Sequence, residues 1–192
     1  MENFIYYTPT KREVGTGTQS EVGELWNQNG ATKVLVHYGS DRVKQSGLLG
    51  EVETSLKSEG IEFVELGGVV ANPQLSLVYE GVALCRAEKV DFVLAVGGGS
   101  VIDSAKAIAY GVPYEGDVWD FYAGTAKPQT RLPVGTVPTI AAAGSEMSNP
   151  TDTTNVELGQ KRGYNDDNQG RAGVAVRKPE RTHNRHDDHK AK

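Results

Sequence analysis

Short apolar runs alternate with amphipathic stretches over the first 150 residues of the chain. The runs with the length and β-branched content of strands are NFIYYT (3–8), KVLVHY (33–38), IEFVEL (61–66) and DFVLAV (91–96). Apolar residues recur at helical spacing over 19–28, 42–60, 72–89 and 100–111. Apolar strands that are each followed by an amphipathic helix indicate a parallel sheet covered on both faces. We therefore predict a doubly wound α/β domain, Rossmann-like in architecture, over residues 1–165.

The character of the chain changes after about residue 165. From 151 to 192 only eight of 42 residues are apolar, whereas the whole chain is 38% apolar. A segment with so little apolar surface has little to offset the entropy lost on ordering. We predict that residues 166–192 form a polar, divergent tail that is poorly ordered.

Composition narrows the range of partners. The net charge is −5, so no basic surface for nucleic acid is expected. The sequence has no apolar run of membrane-spanning length and no signal-peptide pattern, which favours a cytoplasmic protein without a membrane partner. The one cysteine, Cys85, lies in an apolar helical pattern and is interpreted as a buried hydrophobe rather than a catalytic thiol. His37, within a predicted strand, is interpreted as a packed or half-exposed strand residue rather than a proton shuttle.

A run of three glycines joins the strand at 91–96 to the helix that follows. Gly97, Gly98 and Gly99 leave the backbone open to close approach, and the helix start adds unpaired N–H groups and a favourable dipole for an anion. Ser100 is a candidate helix cap or hydroxyl donor. A tight turn without a ligand is the alternative, because the run is neither G-x-G-x-x-G nor a Walker sequence. These residues alone predict a phosphate-binding loop.

Five separated segments then identify a family. The segment at 97–109, GGGSVIDSAKAIA, resembles the dinucleotide-binding motif of the iron-dependent (group III) alcohol dehydrogenases. Four further segments match the same family in order and spacing: VHYGSDRVKQSGLL (36–49), GGVVANPQLSLV (67–78), GDVWDFY (116–122) and LPVGTVPTIAAAGSEMS (132–148). They are most similar to the butanol dehydrogenase branch of NADPH-dependent aldehyde reductases. The resemblance implies NAD(P)H-dependent interconversion of alcohols and aldehydes.

The resemblance also implies roles for individual residues. Gly97, Gly98, Gly99 and Ser100 would hold the cofactor pyrophosphate. Asp103 would lie near the nicotinamide and Lys106 near a ribose, with a surface ion pair between the two as the alternative.

Three further contacts follow from the same resemblance. Thr136 and Thr139 would approach the adenine or ribose end, with a plain loop as the alternative. Asn72 would approach the cofactor from the ANP loop, although Asn72 followed by Pro73 also fits a helix N-cap and first position.

The turn after the second strand bears on the choice of dinucleotide. NAD-preferring relatives carry an acidic residue there, whereas this chain has Gly39 and Ser40, which tolerate a 2′-phosphate. We therefore expect NADP to be preferred over NAD. Asp41 would restore an acidic contact if it took the position one residue earlier.

The family holds iron, or sometimes zinc, with one aspartate and three histidines in a helical C-terminal domain. We expect this chain to be truncated before that domain, so its own metal ligands and catalytic residues stay unassigned. His183, His186 and His189 are weak substitute candidates, because their spacing drifts around a helix and no apolar residue fixes them. Two alternatives to an active oxidoreductase remain: a non-catalytic dinucleotide-binding module, and a structural module that self-associates. Self-association would use the face on which the helical domain docks in the family. Because that face is expected to be apolar, we expect a homo-oligomer.

Overall fold

The computed structural model describes residues 11–14, 22–140, 144–165 and 171–177 of the 192-residue chain. The strands are β1 (Lys11–Val14), β2 (Lys33–Tyr38), β3 (Glu62–Leu66), β4 (Phe92–Gly97), β5 (Val134–Pro138), β6 (Thr151–Asn155), β7 (Gln160–Tyr164) and β8 (Val174–Arg177). The helices are α1 (Val22–Gln28), α2 (Arg42–Gln45), α3 (Leu48–Ser58), α4 (Leu75–Glu88), α5 (Gly99–Gly111) and α6 (Trp119–Ala123).

Six of these strands form one parallel sheet in the order β1-β8-β5-β4-β2-β3. β6 and β7 form a separate antiparallel hairpin, in which Thr151 pairs with Tyr164. Parallel strands need crossover connections, and here helices or long loops supply them. The predicted Rossmann-like α/β fold is confirmed.

Helices cover both faces of the sheet, and each face has its own apolar core. On one face α4 and α5 pack against the sheet through residues such as Val78 and Ile108. On the other face α1 and α3 pack through Trp26 and Leu56. α5 is buried over nearly its whole circumference, so its first turn is fixed firmly at one edge of the sheet.

The carboxyl end of α5 is held by Arg86 from α4. Its guanidinium donates to the carbonyl oxygens of Gly111 at 2.8 Å, Val112 at 3.0 Å and Tyr114. The last carbonyl oxygens of a helix have no N–H donor within the helix. A cation at this end satisfies them and also complements the helix dipole.

Two helix boundaries differ from the prediction. The helix predicted over 42–60 divides into α2 and α3 at Gly47, whose φ of 76° lies in the left-handed region that glycine adopts readily. The helix predicted from Asn72 begins at Leu75 with Gln74 as its N-cap residue. Asn72 has a φ of 59°, so the interpretation of Asn72 as a helix cap is wrong.

The sheet extends beyond the predicted domain boundary at residue 165. β8 lies between β1 and β5, with Val174 paired to both Lys11 and Gly135. Four residues of the predicted tail are therefore part of the domain, because the short run VAV supplies enough apolar surface for a strand buried within the sheet. The strand predicted over 3–8 and the tail from 178 onward lie outside the described residues.

Within the described part of the chain, no helix is both long and apolar enough to cross a membrane.

Candidate functional site

The strand order reverses between β2 and β4. From β2 the chain proceeds to β3 on one side, then returns to β4 on the other side and continues outward to β5. Tyr38 at the end of β2 pairs with Val96 near the end of β4, so the two carboxyl ends lie level with each other. In open parallel sheets the crevice at such a reversal is where ligands bind. The topology therefore points to the turns after β2 and β4.

The glycine run begins at the carboxyl end of β4. Gly97 is the last residue of the strand, Gly98 is the N-cap position of α5, and Gly99 is its first residue. A Cβ on Gly97 would lie 2.5 Å from Cγ2 of Val101, and one on Gly99 would lie 3.1 Å from Oγ of Ser145. Close packing therefore requires glycine at Gly97 and favours it at Gly99, whereas none of the three glycines has the positive φ at which a turn favours glycine.

The start of α5 presents backbone N–H groups to this edge. The N–H groups of Val101 and Ile102 donate to the carbonyl oxygen of Gly98 at 3.0 and 3.1 Å. The N–H groups of Gly99 and Ser100 come earlier in the first turn, and no acceptor for them occurs in the described part of the chain. Gly98, rather than Ser100, occupies the cap position, so the interpretation of Ser100 as the cap is wrong. The arrangement can bind an anion.

The turn after β2 lies beside this helix start. A Cβ on Gly39 would be 3.6 Å from Cγ2 of Val101, so the turn and the first turn of α5 are in contact. Ser40 and Asp41 are exposed, and the Asp41 side chain makes no capping bond to α2. The structure thus places Gly39 against the first turn of α5, and a cofactor site shared by Gly39–Asp41 and Gly97–Ser100 stays a prediction.

Asn72 lies on a third loop and contacts the hairpin. Its Oδ1 accepts a hydrogen bond of 2.9 Å from Nζ of Lys161, which also pairs with Asp152 at 3.4 Å. The N–H of Thr154 donates to the carbonyl of Pro73 at 2.8 Å, which fixes the hairpin to this loop. Lys161 could not be predicted as part of this site, because it lies in a polar stretch without periodicity. The contact of Asn72 with a cofactor stays a prediction.

Lys106 lies two turns into α5 and is almost fully buried, with 1% of its surface exposed. Its Nζ donates to the carbonyl oxygens of Ser145 and Ser148 at 2.8 Å and of Pro150 at 3.1 Å. The alternative of a surface ion pair with Asp103 is therefore wrong. A contact between Lys106 and the cofactor ribose stays a prediction, but in this structure the three ammonium donors are directed at the loop.

Asp103 is half-buried one turn before Lys106. Burial raises the pKa of its carboxyl to about 6, an effect that the charge of Lys106 opposes. Its backbone carbonyl accepts a hydrogen bond of 2.7 Å from Oγ1 of Thr151 at the start of the hairpin. Asp103 thus connects α5 to the hairpin, and its predicted place near the nicotinamide is not tested by these contacts.

The two threonines after β4 differ in their surroundings. Thr136 is fully buried within β5, and its Oγ1 has no hydrogen-bond partner among the described residues. The plain-loop alternative is therefore wrong for Thr136. Thr139 follows the strand, and its N–H donates to the carbonyl of Gly97 at 3.1 Å. Thr139 lies at the edge where a ligand can reach it, whereas Thr136 lies below that edge. Their contacts with the cofactor stay predictions.

His37 lies beneath the site in the interior. Nδ1 is 2.8 Å from the carbonyl oxygen of Leu66 and Nε2 is 2.8 Å from Oγ of Ser104. Because a carbonyl only accepts, Nδ1 carries the proton and Nε2 accepts from the serine hydroxyl. Burial lowers the pKa of His37 to about 4, so the ring is neutral and packed, as the sequence predicted. Cys85 is likewise buried, and burial raises the pKa of its thiol to about 12.

A metal does not fit the described residues. No group of three His, Cys, Asp or Glu side chains in them is arranged to hold an ion. The tail candidates His183, His186 and His189 lie outside the described residues.

Comparisons with known proteins agree on one family. The sequence profile of the iron-containing alcohol dehydrogenases matches residues 9–176. The chain is 47% identical over 161 residues to a probable NADH-dependent butanol dehydrogenase 2 of Bacillus subtilis, covering 84% of this chain and 41% of that protein. It is 34% identical over 167 residues to the NADPH-dependent aldehyde reductase YqhD of Escherichia coli, covering 85% of this chain and 42% of that protein.

A solved structure agrees. The crystal structure of NADH-dependent butanol dehydrogenase A from Thermotoga maritima superposes with a TM-score of 0.90 at 43% identity, covering 94% of this chain and 45% of that one. The chain spans about two fifths of the length of the curated relatives named above. The resemblance carried by the five sequence segments is confirmed, and this chain belongs to the iron-containing alcohol dehydrogenase family.

Proposed function

We propose that this chain binds a nicotinamide dinucleotide with its pyrophosphate on the N–H groups of Gly99 and Ser100. The observation that carries the proposal is the pair of N–H groups at the start of α5, next to the strand reversal, that have no acceptor among the described residues. Two negative charges at a helix N-terminus are favoured by those donors and by the dipole. Relatives named for NADH and for NADPH support the ligand class.

Titration of NADH and NADPH, followed by nicotinamide fluorescence, tests the proposal. Gly99→Val fills the space between Gly99 and Ser145 and is expected to weaken binding at least about tenfold, or 1.4 kcal/mol. Gly50→Val is the matched control, since a Cβ at Gly50 in α3 meets nothing within 4 Å. Wild-type protein that binds neither dinucleotide refutes the proposal. Equal affinities for wild type and Gly99→Val place the pyrophosphate elsewhere.

We further propose that NADP is preferred over NAD. Support comes from the turn after β2, where Gly39 and Ser40 are small and the exposed guanidinium-bearing Arg42 follows closely. A 2′-phosphate is well matched to such a turn. Asp41 opposes this preference if its carboxylate reaches the ribose diol. The ratio of the dissociation constants for NADPH and NADH decides, and Asp41→Asn is expected to shift that ratio further toward NADPH.

The whole protein is proposed to interconvert alcohols and aldehydes. When bound, the reduced nicotinamide supplies the hydride. The part played by this chain's own residues is to hold and orient the dinucleotide at the edge formed by Gly97–Ser100, Gly39–Asp41 and Asn72. Asp103, with its pKa raised to about 6, lies on the same helix as the pyrophosphate site.

A non-catalytic dinucleotide-binding module is the second candidate. It is favoured by the lack of a metal-ligand cluster within the described residues. Consumption of NADPH with butyraldehyde, measured with chelator and with added Fe²⁺ or Zn²⁺, separates the two. Binding without turnover under all conditions supports the module, and metal-dependent turnover supports the oxidoreductase. We also propose that the chain forms a homo-oligomer, and light scattering after gel filtration tests this by measuring self-association.

A further inference from the structure

A loop between β5 and β6 forms a wall beside the glycine run. Residues 144–150 have no regular helix or strand, and they begin at Gly144 with a φ of 78°. Oγ of Ser145 lies 3.1 Å from the position that a Cβ on Gly99 would take, so the loop packs directly on the first residue of α5. The shape of the proposed pyrophosphate site therefore depends on where this loop is held.

The loop is held from below by the Lys106 ammonium. An ammonium has three N–H donors, and the carbonyl oxygens of Ser145, Ser148 and Pro150 are all within 3.1 Å of Nζ. Lys106 is seven residues after Gly99, about 10 Å along the helix axis. The ammonium is thus placed under the loop, whereas the N–H groups proposed for the pyrophosphate are at the end of the helix.

The charges around Lys106 keep the ammonium in its ionised form at neutral pH. Burial and Arg131 lower the pKa of Lys106, to about 8, and the carboxylates of Asp103 and Glu146 oppose that change. The three carbonyl oxygens further favour the charged form, because only an ammonium can donate to all of them at once. Deprotonation or removal of the amine leaves at least one of these acceptors without its partner.

We propose that Lys106 is a positioning residue that fixes residues 145–150 against the start of α5 and so builds one wall of the dinucleotide site. The inference rests on the proposed function and replaces the direct ribose contact that the family resemblance implies. The polar loop at 145–150, held by the buried Lys106 ammonium, then determines the shape of the pyrophosphate-binding part of the site.

Lys106→Met tests the inference, because methionine has a similar length without the charge or the donors. The dissociation constant for NADPH is expected to rise at least about tenfold, and amide hydrogen exchange is expected to accelerate in peptides covering 144–150. Exchange in β2 and β4 is expected to stay as in wild type. Lys33→Met is the matched control, since Lys33 is a half-buried lysine at the opposite end of β2 that pairs with Glu88 and Glu62.

A second variant loosens the loop without changing α5. Asn149 accepts a hydrogen bond of 3.0 Å from Nε of Arg171 through its Oδ1, and Asn149→Ala removes that second attachment. If Lys106 acts through the loop, Asn149→Ala also weakens NADPH binding and accelerates exchange at 144–150. If Lys106 contacts the dinucleotide directly, Lys106→Met weakens binding while loop exchange stays unchanged, and the inference is overturned.

The pH profile gives a readout that a structural role alone would not produce. Raising the pH through about 8 removes the ammonium's proton, so wild-type affinity for NADPH is expected to fall and Lys106→Met affinity to stay level. A wild-type affinity that stays level while loop exchange at 144–150 accelerates over this range, relative to Lys106→Met, overturns the inference. Wild-type protein that binds no dinucleotide at any pH is the failure of the proposed function instead, and loop exchange in Lys106→Met then decides the structural link by itself.

Discussion

Acidification is expected to destabilise the fold through His37, whose imidazole is fully buried between β2 and α5. Burial lowers the pKa of His37 from 6.5 to about 4. The unfolding free energy therefore has its full value, as far as His37 is concerned, above pH 6.5, and it decreases as the pH falls toward 4. The reason is that the unfolded chain takes up a proton on His37 that the folded chain excludes. At about 1.4 kcal/mol per pH unit, the loss amounts to about 3 kcal/mol.

Urea unfolding at a series of pH values measures this loss against His37→Gln. The glutamine amide keeps a donor and an acceptor near Leu66 and Ser104 but does not titrate. Asp103 titrates in the same range with a pKa raised to about 6. It is present in both proteins, so its contribution cancels in the difference between them.

The difference in unfolding free energy between wild type and His37→Gln is expected to change by about 3 kcal/mol in favour of the variant between neutral pH and about pH 4. A difference that stays level over this range would refute the reasoning, since it would mean that the ring is protonated equally easily in the folded and unfolded chains.

Three further predictions concern packing, capping and thiol chemistry. Gly135→Ala places a Cβ 2.1 Å from Cζ2 of Trp26. It is expected to lower the unfolding free energy by about 1–3 kcal/mol. Gly50→Ala in α3, where a Cβ meets nothing within 4 Å, is expected to raise the unfolding free energy by up to about 1 kcal/mol. Equal effects would contradict the packing. Arg86→Met is expected to lower the unfolding free energy by about 1 kcal/mol, because the hydrogen bonds to the carbonyl oxygens at the end of α5 are lost. Arg86→Lys is expected to restore only part of this stability. Full restoration by lysine would show that the positive charge alone is sufficient. Cys85, with its pKa raised to about 12 by burial, is expected to resist iodoacetamide in the folded protein and react in urea, as followed by mass spectrometry. Rapid labelling of folded protein would contradict its burial.

The sequence determined the centre of the sheet closely, and the reason is local. β2 matches the predicted run at 33–38, and β4 at Phe92–Gly97 differs from its predicted run by one residue. β4 is apolar throughout, and β2 is apolar apart from Lys33 and His37. Both lie between turn residues and are buried on two faces of the sheet, so a short apolar run is enough to predict them. The glycine run was predictable for the same reason, since its place between a strand and a helix follows from the flanking patterns.

The parts of the site that depend on distant contacts were not predictable. Lys106 has its three acceptors about 40 residues further along the chain, and no local pattern announces them. β6, with the sequence TDTTN, is a strand without apolar residues, held by its pairing with β7 and by the bond from Thr154 to Pro73. β8 could not be predicted, because three apolar residues in a polar stretch indicate a strand only when it is known that a sheet has an open position beside them.

The position of β8 has a consequence for folding. β1 pairs only with β8 among the described strands, and Lys11 meets Val174 across roughly 160 residues of chain. During synthesis, β1 and the outer edge of β5 have no strand to pair with until β8, which is made up of nearly the last described residues, has emerged from the ribosome. Until then an unpaired edge is open to intermolecular strand pairing. Completion of the sheet is therefore expected to be a late, slow step of folding, and the period before it is when the chain is most prone to aggregate.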